Sequence, residues 1–410
     1  MKTNLKERIK ELIAKGVSIP APFMVDIGEE VQPDRISTKG VVFHPGTRIY
    51  GEKTIISGNV ILGREAPVTI VNCWIGPAVE LKGGYFKEST FLEGVCMGSG
   101  TQIREGCLLE EQVTVGHTVG LKQTVLFPFV TLGSLINFCD CLMAGGTSRT
   151  NHSEVGSSYI HFNFTPQQDK ATPSMLGDVP HGVMLGESPI FLGGQGGIVG
   201  PAKIGFGTVA AAGTILRQDC EEGGKIISSG VMAYEKDFVP GCYGNVSRRV
   251  LNNIIFMANI LALREWYRHV RQPVFRVRHM GDLWTGAMDT IDCILHERIN
   301  RFRAFAQKMD YSVRKSSLDL HRQIQFHERW PDMEAAFTGG EEKSFGAKQR
   351  ESFLKALGIM NKKEIPDYIS LIQGLDKKTA AIGTAWLQAI VDGITDRAVR
   401  YVPLCKPSRP

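Results

Sequence analysis

Apolar residues recur at every sixth position in several parts of this chain. An α-helix buries a side chain about every 3.6 residues and a strand every second residue, so neither element alone accounts for a sustained period of six. This period is typical of a coil whose sides are short strands joined by tight corners, each side directing one apolar side chain inward. The pattern therefore predicts a parallel β-helix. Its longest run consists of Leu192, Ile198, Ile204, Ala210 and Leu216.

Two other segments keep the same spacing and extend the predicted coil toward the N-terminus. An aliphatic residue followed by glycine also recurs along this part of the chain, as expected at corners that need permissive backbone angles. We therefore predict that the coil occupies residues 22–246. The further runs at spacing six are Ile49, Ile55 and Ile61, and Val113, Val119 and Val125. The glycine pairs include Ile27-Gly28, Leu62-Gly63, Ile75-Gly76, Val115-Gly116, Val155-Gly156 and Ile204-Gly205.

The remaining sequence divides the 410 residues into three parts. Residues 1–21 form an N-terminal segment in which apolar residues at helical spacing predict an amphipathic helix over 4–15. Beyond the coil, glycines become rare and the apolar pattern turns helical, so residues 247–410 are predicted to form an α-helical domain. Helices are expected there over 347–357 and 376–400. The end of a solenoid must be covered, and this domain could be the cap.

Composition narrows the classes of function. The net charge of +5 is small for this length and implies neither a nucleic-acid nor a membrane partner by itself. The N-terminal residues lack the apolar core of a signal peptide, and no eighteen uncharged apolar residues run together, so we expect a cytoplasmic protein without membrane association. Nine cysteines without a CxxC pair predict reduced thiols rather than disulfides or a zinc site.

Histidines and arginines prompt two further hypotheses. Some hexapeptide coils hold zinc through closely spaced histidines, but no HxxxxH pair occurs here, so we expect no metal. Arginines and aromatic residues mix over 264–279, as they do in nucleic-acid interfaces. Acidic residues in this segment and on later helices favour instead a helix end against the coil or a phosphate-binding rim, so we expect no nucleic-acid partner. The histidines considered for zinc are His117, His152, His161 and His181.

Four stretches of the coil match the motifs of one enzyme family. LIAKGVSIPAPFMVDIGEEV (12–31) is similar to the family's entry from helix to coil, MGSGTQIREG (97–106) to VGPFARLRPG, VGHTVGLK (115–122) to VGNFVEVK, and GPAKIGFGTVAAAGT (200–214) to APVTVGKGATIAAGT. Through these motifs residues 8–246 resemble the acetyltransferase half of the bifunctional bacterial N-acetylglucosamine-1-phosphate uridyltransferase and glucosamine-1-phosphate acetyltransferase. The uridyltransferase half of that family opens with LAAGxGTRM and a doubly wound domain. This sequence shows neither, so we expect no pyrophosphorylase activity.

The resemblance implies a fold, an assembly and a reaction. The expected fold is mainly β: a left-handed parallel β-helix of hexapeptide repeats with a short N-terminal helix and a C-terminal α-helical domain. The expected assembly is a homotrimer with active sites between neighbouring coils. The implied reaction transfers acetyl from acetyl-CoA to the amine of a sugar phosphate or nucleotide sugar. Small residues at Gly194, Ala211 and Ala212 would let the pantetheine arm of the donor lie against the coil.

The family's substrate-binding positions are only partly kept. Arg104 and Lys122 stand at its cationic positions and would bind phosphate, and Lys170 lies one residue further along than the family's loop lysine. Asn163 corresponds to the asparagine that orients the acceptor, although AGGTSRTNH offers Asn151 as an alternative match. Asn137 stands where the family has a substrate-binding tyrosine.

The most serious departure concerns the catalytic base. Ser134 stands where the family has its catalytic histidine, and a serine without a partner base does not take a proton from an ammonium near neutral pH. His152 is the best remaining base, with His161 as an alternative. The loss of the histidine equally favours a second hypothesis, a non-catalytic scaffold that binds a nucleotide sugar.

Overall fold

Short parallel strands wound into a coil of about 11 turns form the larger part of the computed structural model. The structure describes residues 6–228, 238–315, 321–359 and 364–402. Strands of the coil are two to four residues long because a corner follows each one, and they pair in parallel between successive turns. This arrangement confirms the predicted parallel β-helix with a C-terminal helical region and fits a left-handed coil.

The coil has three faces, and the chain passes from face 3 to face 2 to face 1 in each turn. Face 1 is a ten-stranded sheet, face 2 has eight strands, and face 3 has six strands joined to three more through bridges at Asn137. Face 1 comprises Val42–Phe43, Ile61–Leu62, Glu80–Leu81, Cys96–Met97, Thr114–Val115, Thr131–Leu132, Glu154–Val155, Phe191–Leu192, Val209–Ala210 and Ile226–Ile227. Face 2 comprises Ile55–Ile56, Trp74–Ile75, Ser89–Phe91, Cys107–Leu109, Thr124–Leu126, Cys141–Met143, Ser174–Leu176 and Lys203–Ile204. Face 3 comprises Asp26–Ile27, Arg48–Tyr50, Val68–Val71, Gly84–Lys87, Thr101–Ile103, Gly120–Leu121, Ile160–Phe162, Gly197–Val199 and Ile215–Leu216.

The longest hydrophobic ladder fills the coil as predicted, whereas the other two lose register. All five residues from Leu192 to Leu216 in that ladder are buried in the core of the coil. In the ladder Ile49, Ile55 and Ile61, the inward residue after Ile49 is Ile56, so Ile55 faces outward. Val125 likewise faces outward. The corner before Ile56 has one residue more than the repeat of six and the corner before Leu126 has one fewer. Either change moves the following side chains to the opposite face of the strand, and that is why the spacing of six fails there.

Helices precede, interrupt and follow the coil. The N-terminal helix Glu7–Ala14 lies inside the range predicted for it, whose first two positions fall outside the described residues. The predictions at 347–357 and 376–400 correspond to Ala347–Leu357 and Lys377–Val399. The other helices are Val179–Gly182, Ser247–Trp266, Gln272–Val277, Gly281–Lys315, His321–Glu328, Trp330–Thr338 and Tyr368–Gln373, with a π-helical turn at Tyr267–Arg271.

The helical domain packs along the side of the coil, on face 2, instead of closing its end like a cap. Two of its helices, Ser247–Trp266 and Gly281–Lys315, contact strands of face 2. The long helix approaches so closely that a Cβ on Gly286 would lie 2.1 Å from the ring of Trp74. The outward side chains of face 2, Ile55 and Val125 among them, join the core of the helical domain. Burial of face 2 on both sides explains why its strands are apolar at consecutive positions.

Charged residues are buried where the helices meet the coil. The guanidinium of Arg271 lies 2.5 Å from a carboxylate oxygen of Glu111 and 3.5 Å from the centre of the Tyr368 ring. Next to this pair the hydroxyl of Tyr267 donates to Glu110 at 2.6 Å, and burial raises the pKa of Glu110 to about 7. The arginine- and aromatic-rich segment 264–279 is therefore a helix end packed against the coil, one of the two roles predicted for it.

Some classes of site find no support in the described part of the chain. None of its helices is long and apolar enough to cross a membrane. No group of three or more histidine, cysteine, aspartate or glutamate side chains in it could hold a metal ion. The eight cysteines within the described ranges are free thiols, and burial raises the pKa of Cys139 to about 12, which leaves that thiol protonated.

Candidate functional site

Residues of successive turns stack at the corner between face 1 and face 3. Each lies two positions beyond the inward residue of a face 1 strand, and the carbonyl of every member before the last accepts a hydrogen bond from the turn that follows. Because neighbouring strands lie about 4.8 Å apart, four turns of this stack span roughly 19 Å. The stack, termed here the corner column, consists in chain order of Ser99, His117, Ser134, Ser157, Gly194 and Ala212. It brings the predicted Ser134 into line with two of the three predicted donor-binding residues.

Ser134 has a partner that the sequence argument missed. Its Oγ lies 2.7 Å from Nδ1 of His117 in the preceding turn, and the same Oγ accepts the backbone N–H of His117 at 3.2 Å. The backbone N–H of Ser134 donates in turn to Ser157 Oγ at 3.1 Å. His117 is exposed, and its Nε2 has no hydrogen-bond partner within the described ranges. The corner thus carries a histidine whose ring is held by a serine through one nitrogen and is open at the other.

The predicted donor-binding residues differ in why they are small. A Cβ on Gly194 would lie 2.9 Å from the carbonyl oxygen of Ser157, so close packing of the turns already demands glycine there. Ala211 is half-buried, and its N–H donates to Ile227 in the next turn. Ala212 is exposed, and packing gives no comparable reason for its size. Of the three, Ala212 is therefore the residue whose smallness is best explained by a ligand.

Cationic side chains follow one another at the opposite edge of face 3. The parallel register aligns Lys87, Arg104 and Lys122, each of which directly follows the inward residue of its strand. The guanidinium of Arg104 lies 4.6 Å from the centre of the Tyr85 ring. Lys122 pairs with Glu105 at 2.5 Å, and this hydrogen bond raises the pKa of Lys122. The structure therefore brings Arg104 and Lys122 together at what is termed here the cationic edge, and their role in binding phosphate stays a prediction.

Asn137 lies on face 3 between the corner column and the cationic edge. It bridges Gly120 on one side and Ile160 on the other, and its side chain is exposed. Its Oδ1 lies 3.1 Å from the thiol of Cys139. Because Gly120 has no side chain, the surface beside Asn137 is open toward the preceding turn. A small polar ligand on face 3 would meet Asn137 there.

A helix of the C-terminal domain holds the loop that carries Asn163 and Lys170. Asn163 Nδ2 donates to Asp140 Oδ2 at 2.7 Å, and the other oxygen of Asp140 pairs with Arg298 at 2.7 Å. Both members of this ion pair are buried, with 4% of the Asp140 side chain and 2% of the Arg298 side chain exposed. Arg298 also donates to the carbonyl of Lys170 at 3.5 Å. Lys308 from the same long helix donates to the carbonyl oxygens of the loop at residues 167 and 168.

His152 and Asn151 lie at a different corner. They belong to a two-stranded antiparallel hairpin, Gly146–Ser148 with Asn151–His152, between faces 2 and 1. His152 Nδ1 lies 3.4 Å from the carbonyl of Ser153, and Asn151 donates to Thr147 at 2.9 Å. Within one chain the structure does not bring His152 together with the cationic edge. Its role as a base stays a prediction, as does the choice between Asn151 and Asn163 as the family's asparagine.

His161 occupies an inward position of face 3, where other turns carry aliphatic residues. It is stacked in register with Ile198, and it is 1% exposed. Nδ1 lies 2.6 Å from the carbonyl of Cys139, and Nε2 lies 2.7 Å from Ser174 Oγ. Burial lowers the pKa of His161 to about 4. With both nitrogens engaged inside the coil, His161 is not available as a base for a ligand.

The buried His161 predicts a pH dependence of stability. The pKa of histidine in an unfolded chain is about 6.5, so the unfolded chain binds more protons than the folded one between about pH 4 and 6.5. The free energy of unfolding therefore rises with pH through this window, and the contribution is complete above about pH 6.5. We expect acidification from pH 7 to 4 to remove about 3 kcal/mol through this residue. Urea titrations at both pH values should show a weaker dependence for His161→Leu; an equal dependence would contradict this account.

The fold and the repeat define the class of this chain, a hexapeptide-repeat β-helix protein. Sequence comparison shows which known proteins are similar to it. No family model matches the chain. The chain is 27% identical over 228 residues to the Bifunctional protein GlmU of Pelobacter propionicus. This match covers 55% of this chain and 44% of that protein. The proteins of the same name from Thermotoga petrophila and Corynebacterium glutamicum are 26% and 25% identical over 215 and 211 residues. These matches cover 52% of this chain and 42% and 38% of the two relatives.

The chain spans less than half the length of these curated relatives. The matched length corresponds to the size of the coil, and the coil is the part of the chain in which the family motifs occur. Together with the solenoid, this similarity confirms the resemblance to the acetyltransferase half of the family.

Proposed function

We propose that the protein is an acyltransferase that moves acetyl from acetyl-CoA to the amine of an amino-sugar phosphate or a nucleotide sugar. The observation that carries the proposal is the arrangement of face 3, which has cations at one edge and the open corner column at the other. An acceptor with an amine and a phosphate needs cations beside its phosphate and a proton acceptor beside its amine, and the corner column carries a histidine. The similarity to acetyltransferase sequences supports the same chemistry.

Arg104 and Lys122 are proposed to bind the acceptor's phosphate. Phosphate is best recognised by arginine and lysine through charge-assisted hydrogen bonds. Lys122 is already paired with Glu105, but both side chains are about a third exposed. Such an ion pair contributes at most about 1 kcal/mol, so a doubly charged phosphate would compete well for the ammonium. Lys170 and Asn163 on the adjacent loop, with Asn137 on face 3, would complete the acceptor site.

The donor is proposed to lie along the corner column with its thioester directed toward Ser134. Three turns separate Ala212 from Ser134, which is roughly 14 Å at the usual strand spacing. An extended pantetheine arm suits such a narrow path. Its acyl group would then reach face 3 beside the proposed acceptor site.

A homotrimer is part of the proposal. The helical domain covers face 2, which leaves faces 1 and 3 as the sides of the coil for contact with neighbouring chains. Apolar side chains are exposed on face 3 and the loop after it: Ile160 at 43%, Phe162 at 40% and Phe164 at 56%. Exposed clusters of this kind often mark protein interfaces. In a closed ring of three chains, each site would lie between two coils.

The experiment that tests the proposal is calorimetric titration with acetyl-CoA. The unaltered protein is expected to bind the donor, and Ala212→Trp is expected to weaken binding at least tenfold because the indole would fill the path of the pantetheine arm. Lys39→Trp is the matched control, since Lys39 is an exposed corner residue at the start of the coil. Equal donor affinity in a folded Ala212→Trp variant would contradict the proposed donor path.

A non-catalytic scaffold is the second candidate, and the serine at position 134 favours it. This hypothesis predicts that UDP-N-acetylglucosamine binds while acetyl-CoA does not. The same calorimeter cell separates the two functions if each ligand is titrated alone and then in the presence of the other. Binding of the nucleotide sugar alone would replace the proposed acyl transfer with the scaffold.

A further inference from the structure

We infer that His117 is the base that accepts the proton of the acceptor amine, and that Ser134 positions its ring. The inference rests on the proposed acyl transfer and names the proton acceptor within it. It moves the catalytic role one turn along the coil from the position where the related enzymes carry their histidine. Neither His152 nor a lone Ser134 is then needed as a base.

The geometry of the corner column carries this assignment. Ser134 Oγ lies 2.7 Å from His117 Nδ1, so a hydrogen bond across two turns fixes the ring. Ser134 is itself held through its backbone N–H by Ser157 Oγ. If Nδ1 carries the ring proton and donates it to Oγ, the lone pair of Nε2 is left to accept a proton. A positioned imidazole with one nitrogen bound and one nitrogen open is the arrangement that general bases use.

Three other histidines lack this combination of features. Both nitrogens of His161 are engaged inside the coil. His181 belongs to the short helix Val179–Gly182 between faces 2 and 1, and its Nδ1 lies 2.8 Å from Asp178. His152 lies in the hairpin at the corner between faces 2 and 1. Among the histidines considered as candidates, His117 alone lies in the corner column, in line with Gly194 and Ala212.

His117 is also within reach of the proposed phosphate site. Lys122 lies five positions further along the same turn, so the two Cα atoms are at most about 18 Å apart. Both side chains are long and extend from the coil, and an amino-sugar phosphate would lie between them over face 3. The amine would then face the histidine, while the phosphate would face the cationic edge.

The chemical step balances without any further reactant. The acceptor's amine nitrogen forms a C–N bond to the thioester carbonyl carbon, and its proton passes to Nε2 of His117. The tetrahedral intermediate collapses with cleavage of the C–S bond, and the sulfur leaves with the electron pair. The proton on the imidazolium then passes to the thiolate. The products are an amide and the free thiol of coenzyme A, and the imidazole is neutral again.

The test measures release of the coenzyme A thiol with glucosamine 1-phosphate as the acceptor. His117→Gln is expected to lower kcat by about 10²–10⁴-fold, the range for loss of a general base, with the KM for acetyl-CoA changed less than threefold. Ser134→Ala is expected to lower kcat about tenfold, and Ser134→Thr, which keeps a hydroxyl, should recover most of that loss. His44→Gln is the matched control because His44 lies at the same corner four turns earlier.

The outcomes distinguish this inference from the function on which it rests. Failure of the unaltered protein to release thiol would overturn the acyl transfer and this assignment with it. Thiol release that persists in His117→Gln, or that is lost in His152→Gln instead, would overturn only the assignment. A 15N spectrum of the imidazoles adds a readout besides activity. We expect the proton of His117 on Nδ1 in the unaltered protein and a shift toward Nε2 in Ser134→Ala; an unchanged tautomer would overturn the positioning role.

Discussion

Replacing Arg271 by methionine is expected to lower the free energy of unfolding of the helical domain by about 3–5 kcal/mol, the usual cost of breaking a buried ion pair from one side. Arg271 is 1% exposed, and its loss would leave the carboxylate of Glu111 buried beneath the helices without a cation. The contact of the guanidinium with the Tyr368 ring would be lost as well. Urea titration followed by tryptophan fluorescence measures this change. The tryptophans suit the purpose because four of five belong to the helical domain and Trp74 lies beneath it.

Two further variants show whether the unpaired charge is the cause. Glu111→Gln combined with Arg271→Met removes the carboxylate together with its partner and is expected to recover most of the lost stability. Arg278→Met breaks a pair with Glu93 that is about a third exposed, so it is expected to cost less than about 1 kcal/mol. If Arg271→Met were as mild as Arg278→Met, the buried pair would not be what holds this part of the domain on the coil.

The sequence could predict the coil because each turn repeats the same local requirement. An inward aliphatic residue and a permissive corner recur wherever the chain must close another turn, and the run from Leu192 to Leu216 shows this without interruption. The placement of the helical domain was harder to foresee because it depends on contacts between distant segments. One signal was present all the same. The strands of face 2 pair an outward with an inward apolar residue, as in Ile55-Ile56 and Val125-Leu126, which indicates burial on both sides.

Individual residues of the candidate site could be chosen from the sequence, but the hydrogen bond between Ser134 and His117 could not. Arg104 and Lys122 could be matched to family motifs one by one, and their shared register at one edge follows from the coil. The partner of Ser134 could not be found by comparing motifs, because His117 stands in a different motif. The repeat itself contained the information: Val115-Gly116-His117 and Leu132-Gly133-Ser134 occupy equivalent corners of successive turns. Arg298 had no sequence signal, since it comes from a helix without a match to the family motifs.

The second large effect is expected at Arg298. Arg298→Met should lower kcat/KM for the acceptor by about 10²-fold, because Asp140 would lose its cation and the part of the loop that carries Asn163 and Lys170 would lose its contact with the long helix, leaving Lys308 to hold only residues 167 and 168. Misplacement of a binding group by about 1 Å is enough for such a loss. The donor's KM should change little, since the corner column lies at the other edge of face 3. Thiol release with varied acceptor and varied donor measures the two quantities separately.

Amide hydrogen exchange tests the same link without relying on turnover. Residues 163–171 are expected to exchange faster in Arg298→Met, whereas Arg303→Met, on the same helix but paired with Glu334, should leave them unchanged. Adding Asp140→Asn to Arg298→Met removes the buried charge, and asparagine suits the left-handed backbone at this position, where φ is +60°. This double variant should regain stability while acceptor binding stays weak, because no side chain of the long helix then fixes the loop at this point. Recovery of both together would mean that Arg298 acts only through stability, and that the helical domain supports the coil without shaping the acceptor site.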